Sequence, residues 1–145
     1  NNMANSLIVG GLKVGMNVAV ATPDGYKPDG AVLEFTKGYG DKFALETDPF
    51  MAASGADILI TDTWTSMGEE AEKEERKKIF KDYQINRQLL AAANAGAMVQ
   101  HCLPAYRGQE ITEEVFEEHA DEIFNEAENR LHAQKAVMVK LMKKD

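Results

Sequence analysis

Apolar positions along this chain alternate between the period of a helix and that of a strand. Over residues 3 to 15, Leu7, Ile8 and Leu12 fall near one helical face, and Gly15 offers a stop. Val18–Ala21 sets β-branched residues among small ones and predicts a strand. Thr22-Pro23-Asp24-Gly25 is turn chemistry. A short helix is expected over Ala31–Lys37 and a strand over Lys42–Leu45. Asp48 stands where it caps a helix beginning at Pro49, a position at which proline's missing N–H costs nothing. The apolar, branched run from Ala56 to Thr61 predicts a buried strand. After a polar loop, Glu69–Tyr83 carries Glu and Lys three and four apart, as an exposed helix does. Ile85–Ala95 is expected as a further helix ended by Gly96, and Ala97–Gln100 as a second buried strand. Thr112 opens a short acidic helix. The last helix is expected from about Glu126 to Lys143, with acids in its first turn and lysines in its last.

Strands alternating with helices predict an α/β fold, a doubly wound and mostly parallel sheet with helices on both faces. The 145 residues suffice for one core, and no repeat, linker or low-complexity stretch divides them, so residues 1–145 read as one domain. The net charge of −8, from 16 basic and 24 acidic residues, argues against nucleic acid or an anionic membrane as partner. It leaves room for a local cationic pocket. No apolar run approaches the roughly eighteen residues of a membrane span, and no signal segment opens the chain, so a cytoplasmic protein is expected. A lone Cys102 rules out an internal disulfide. The chain opens on Asn1-Asn2 and runs at once into a helical pattern, as a piece of a longer chain would.

Ligands of open α/β sheets bind outside the carboxyl ends of the strands. One predicted strand runs into Asp62-Thr63-Trp64-Thr65-Ser66-Met67-Gly68, another into His101-Cys102-Leu103-Pro104. A carboxylate and the lone cysteine thus fall where this architecture places ligand groups. Each has a structural alternative. Asp62 suits a loop or a cap, and Ser66 with Glu69 forms a capping box. Cys102 suits a buried small hydrophobe, His101 a satisfied core histidine, Trp64 packing, and Asn1 or Asn2 the cap of the first helix. Arg130, near the start of the expected last helix, opposes the helix dipole, which hints at another task. There is no phosphate loop, dinucleotide fingerprint or paired metal-ligand spacing. From the residues alone the reading stops at an α/β domain for a small polar ligand.

Five segments, taken in order, resemble the carbamoyltransferases, and among them the ornithine carbamoyltransferases. They are Asn1–Ser6, Ala21–Asp29, the Ser66-Met67-Gly68 loop after Asp62, His101-Cys102-Leu103-Pro104 with its continuation to Gly108, and Glu126–Arg130. The resemblance implies the ornithine-binding second domain, Rossmann-like but without its opening strand, of an enzyme joining L-ornithine to carbamoyl phosphate to give citrulline and phosphate. It implies that Asn2, Asp62, Ser66 and the Met67 backbone hold the ornithine amino and carboxylate groups. Cys102 then lies beside the δ-amine, with the Leu103 carbonyl and Arg130 near the carbamoyl group.

Those residue types fit the chemistry. An alkyl amine of pKa near 10.4 is only about 0.1% neutral at pH 7.4, so it must shed a proton before attacking. Asp62 and Cys102 suit that proton traffic, and Arg130 suits the charge developing on the carbonyl oxygen. No cofactor or metal is expected, Cys102 is not expected to act as a covalent nucleophile, and the loop after Trp64 is expected to close over ornithine. The family is usually trimeric. Its first domain, with the phosphate-binding motifs, has no counterpart here, so the chain alone is expected to be inactive. A carbamoyltransferase for another amine (putrescine or aspartate) and a non-catalytic amino-acid-binding module are the competing readings.

Overall fold

Local hydrogen bonds start and stop the helices. The computed structural model describes residues 1–65 and 73–143. Helix α1 (Asn2–Lys13) begins where the Asn1 side chain accepts a hydrogen bond from the Ala4 N–H at 3.0 Å. It ends in a Schellman turn: Met16 N–H reaches the Gly11 carbonyl, Gly15 N–H reaches that of Leu12, and Gly15 takes φ 89°. Asp29 caps α2 (Gly30–Thr36), and a 3₁₀ segment (Lys37–Lys42) follows. Asp48 caps α3 (Pro49–Ala53), with Pro49 in the expected first position. Thr112 caps α6 (Glu113–Glu118).

Four short strands, β1 (Val18–Ala21), β2 (Phe43–Glu46), β3 (Ile58–Thr61) and β4 (Met98–His101), run parallel in pairs flanked by helices. The expected α/β class is therefore met. Among the described residues the strands form two parallel pairs, β1 with β2 and β3 with β4. Ile8 and Leu12 bury the inner face of α1, which lies so close to β1 that a Cβ on Gly11 would sit 2.9 Å from Val18 Cγ2. A larger cluster fills the other half, with Leu59, Ile85, Val99, Ile111, Val115 and Ile123 at its centre.

Helix α7 (Ala120–Met142) closes the outer edge of β4 with side chains. The Val99 N–H donates to Glu122 Oε2 at 2.8 Å, and the His101 N–H donates to the Glu126 carboxylate. Residues two apart on a strand point their N–H groups to the same edge, and residues four apart on a helix share a face. Two carboxylates one helical turn apart therefore match two edge donors. Beyond Arg130, α7 is exposed throughout. Among the described residues no helix is long and apolar enough to cross a membrane.

Three expectations need correction. The helix expected over Ile85–Ala95 shrinks to α5 (Arg87–Leu90), capped by Asn86. Ile85 is instead committed to a bridge with Ile111, through its N–H to the Glu110 carbonyl and its carbonyl to the Thr112 N–H. At the far end Asn94 binds Gly55 and Asp57 through its side chain, and Ala56 through its N–H. These tertiary bonds override the helix preference of the alanines. The last helix starts at Ala120 rather than near Glu126, because Asp121 and Glu122 supply its acidic first turn and Ile123 is buried in the core. Arg130 is consequently mid-helix, and the dipole gives it no penalty. His101 belongs to β4 rather than to the loop after it. The charged helix is described from Lys73 only, as α4 (Lys73–Phe80) and a 3₁₀ turn (Lys81–Tyr83); residues 69–72 lie outside the described residues.

Candidate functional site

Parallel pairing puts the two strand ends side by side. Thr61 and His101 are register partners, so Asp62 and Cys102 leave the sheet as neighbours. The Cys102 thiol donates to Asp62 Oδ1 at 3.3 Å. The same oxygen accepts from the Thr63 N–H at 2.8 Å, while Oδ2 accepts from Asn1 Nδ2 at 2.9 Å. Asp62 thereby joins the start of α1, its own loop and the β4 loop. Arg130 comes in from α7, and its Nη1 donates to the Cys102 carbonyl at 3.0 Å.

Electrostatics decides the state of the thiol. Burial, and then the hydrogen bond and charge of Asp62, push Cys102 up to about 12; Glu126 adds to this and Arg130 opposes it. Cys102 is therefore a neutral thiol at physiological pH, a hydrogen-bond donor and not a thiolate nucleophile. Burial also pushes the Glu126 carboxyl up, an effect only partly offset by the His101 N–H and nearby positive charge. One Glu126 oxygen is buried with no hydrogen-bond partner among the described residues.

Behind Cys102 the chain turns through Leu103, at φ 55°, and a cis Leu103–Pro104 peptide. The Leu103 N–H donates to His101 Nδ1 at 2.9 Å. His101 Nε2 lies 3.0 Å from Glu110 Oε1, which also accepts from the Tyr106 N–H at 2.6 Å. The His101 and Glu110 side chains are both fully buried.

Of the residues singled out in the sequence, Asp62, Cys102, Leu103 and Arg130 come together. Asn2, the first residue of α1, is exposed. Ser66 and Met67 lie outside the described residues. Trp64 packs, as its structural alternative held, with its ring stacked 6.2 Å from that of Phe80. Sequence reasoning weighed Asn1 only as a cap and overlooked Glu110 and the contact of Glu126 with the β4 edge. The available signals were indirect: an acid between Gln109 and Ile111 just after a glycine turn, and an acid one helical turn before Arg130.

Asp62, His101 and Cys102 offer ligand atoms within 4.8 Å of one another, a donor set that suits a soft divalent cation. Both His101 nitrogens are already hydrogen-bonded, and Cys102 is held as the thiol, so an ion would have to displace those bonds and a proton. A separate cavity of about 570 Å³, lined by Trp64, Lys77 and Gln84 among others, includes neither Asp62, Cys102 nor Arg130.

Known proteins place the chain in a family. Residues 1–141 match the family model for the Asp/Orn binding domain of aspartate/ornithine carbamoyltransferases. The ornithine carbamoyltransferase of Gloeobacter violaceus is 56% identical over 146 residues, which cover 98% of this chain and 47% of that protein. That of Thermococcus kodakarensis is 48% identical, over 98% of this chain and 46% of its own length. The crystal structure of anabolic ornithine carbamoyltransferase from Campylobacter jejuni superposes with a TM-score of 0.91 at 44% identity, covering 97% of this chain and 48% of that one. The chain spans about half the length of these relatives. With a family model matching nearly every residue, the chain belongs to the aspartate/ornithine carbamoyltransferase family.

Proposed function

We propose that this chain is the ornithine-binding half of an enzyme that moves a carbamoyl group from carbamoyl phosphate to the δ-amine of L-ornithine, giving citrulline and phosphate. The observation that carries this reading is the thiol–carboxylate pair of Cys102 and Asp62, with Arg130 one hydrogen bond away. A protonated thiol beside an acceptor carboxylate suits an amine that must be oriented and relieved of a proton. The neutral amine attacks the carbamoyl carbon, and the carbonyl oxygen takes up negative charge. The carbonyl re-forms as the bond to the phosphate oxygen breaks, the attacking nitrogen's remaining extra proton leaving with the phosphate. Among the described residues, Arg130 donates through Nη1 to the Cys102 carbonyl, and its other guanidinium donors suit the developing oxyanion. The Leu103 carbonyl accepts from the carbamoyl amide. Asn2, Ser66 and the Met67 backbone hold the ornithine amino and carboxylate groups.

In this reading the chain works within a longer cytoplasmic protein whose other half binds carbamoyl phosphate and carries much of the trimer contact, and neither nucleic acid nor membrane takes part. The test is citrulline formation by the full-length protein, given carbamoyl phosphate with ornithine, putrescine or aspartate. Ornithine-dependent product that collapses on Cys102→Ala or Asp62→Ala is the expected result. Product from another amine alone moves the substrate assignment, and no product from any amine leaves a binding module.

A further inference from the structure

We infer that His101, backed by Glu110, is a positioning residue for the proposed carbamoyl transfer: it holds Leu103 in its left-handed conformation and so fixes the direction of the Leu103 carbonyl. This rests on the function proposed above.

The case begins with the backbone. Leu103 has a positive φ of 55°, which a side-chain-bearing residue keeps only when its surroundings hold it there. What holds it is a ring nitrogen, the His101 Nδ1 that accepts the Leu103 N–H. That bond also selects the tautomer. With Nδ1 as acceptor the proton sits on Nε2, which then donates to Glu110 Oε1. Glu110 Oε1 takes the Tyr106 N–H as well, so both ends of the bend from Leu103 to Tyr106 hang on one imidazole–carboxylate pair.

Neither side chain reaches solvent, so any effect passes through the backbone they hold. The second Glu110 oxygen is buried without a hydrogen-bond partner among the described residues. An apolar residue would fill that volume without burying an orphan polar atom. Packing therefore does not account for the acid, whereas anchoring the bend does. Because Leu103 is assigned to the carbamoyl group and Asp62 to ornithine, loosening the relay should be felt by one substrate and not the other.

The experiment uses steady-state kinetics of the full-length protein with His101→Leu, His101→Asn and His101→Gln, alongside melting curves. Asn places an oxygen where Nδ1 accepts from Leu103; Gln keeps a donor toward Glu110 but loses that acceptor. His101→Leu and His101→Gln should lower kcat about 100-fold and raise KM for carbamoyl phosphate, with KM for ornithine changed less than about 3-fold. His101→Asn should recover most of the loss. A folded His101→Leu with wild-type kinetics overturns the inference. So does a Gln variant more active than the Asn variant, a comparison that serves even if the Leu variant does not fold. Parallel loss of kcat, both KM values and melting temperature, without rescue by Asn, overturns it in favour of a purely structural histidine. Failure of the wild type to make citrulline overturns the proposed function itself, and this inference with it.

Discussion

Two loops leave the paired strands β3 and β4 at adjacent points, and they are held in opposite ways. The loop after β4 turns inward. His101 and Glu110 are fully buried, Ile111 behind them is 0% exposed, and the bend's N–H donors at Leu103 and Tyr106 find interior acceptors. The loop after β3 is half-buried from Asp62 to Thr65, and Asp62 is tied outward to Asn1 and sideways to Cys102. The site therefore pairs a thiol on a framework fixed from within with a carboxylate tethered from outside its own loop. Electrostatics follows this division: the framework supplies the burial that raises the thiol, and the tethered loop supplies the charge that raises it further.

The largest effect should come from the residue on which both loops converge. Asp62→Ala in the full-length protein should lower kcat/KM for ornithine by about 10²- to 10⁴-fold, read by citrulline formation. Next comes the thiol. A rise from 9.0 to about 12 is three pH units, so at pH 8 Cys102 should alkylate roughly a thousandfold more slowly than an unperturbed cysteine. Asp62→Asn should restore part of that rate, and alkylation at the free-thiol rate in the folded protein would dissolve the contrast between the loops. For stability, Ile111→Ala under the framework loop should cost about 2–5 kcal/mol in urea denaturation. Trp64→Ala in the tethered loop should cost less, because its ring is only half-buried.

The smallest effect concerns acid. Burial pushes the Glu122 carboxyl up, but the His119 ring and the Val99 N–H together hold it below its ordinary 4.5. Its contribution is thus present above about pH 4.5 and fades as pH falls through the lowered value. Glu122 is 37% exposed, so Glu122→Gln should remove less than about 1 kcal/mol from the acid limb of a stability-versus-pH curve.

Local chemistry was legible in the sequence. Asn1, Asp48 and Thr112 announce their helices because a cap is written in one residue and its near neighbours. The strand ends bearing Asp62 and Cys102 were legible as well, since apolar runs mark where such strands stop. Missed features depend on partners distant in sequence. Asn94 ends the short helix by bonding residues some forty positions earlier, against the preference of Ala91-Ala92-Ala93. The His101–Glu110 pair spans nine positions, and two of its bonds go to backbone N–H groups, which no side-chain pattern reports. The structural alternative for His101, a satisfied core histidine, describes its contacts correctly, yet those contacts are what give it influence over the site.

The carboxylates that α7 lays along β4 also bear on how this protein meets other chains. An edge strand with vacant N–H groups is a template on which foreign extended segments polymerise. Here the vacancies at Val99 and His101 are filled from within the chain, so the edge is passivated without a further strand. The guard is electrostatic: acid that neutralises Glu122 weakens it while the apolar cluster behind stays buried. Self-association should therefore nucleate at β4 only once pH falls below about 4.5, through the lowered Glu122 value, and before global unfolding.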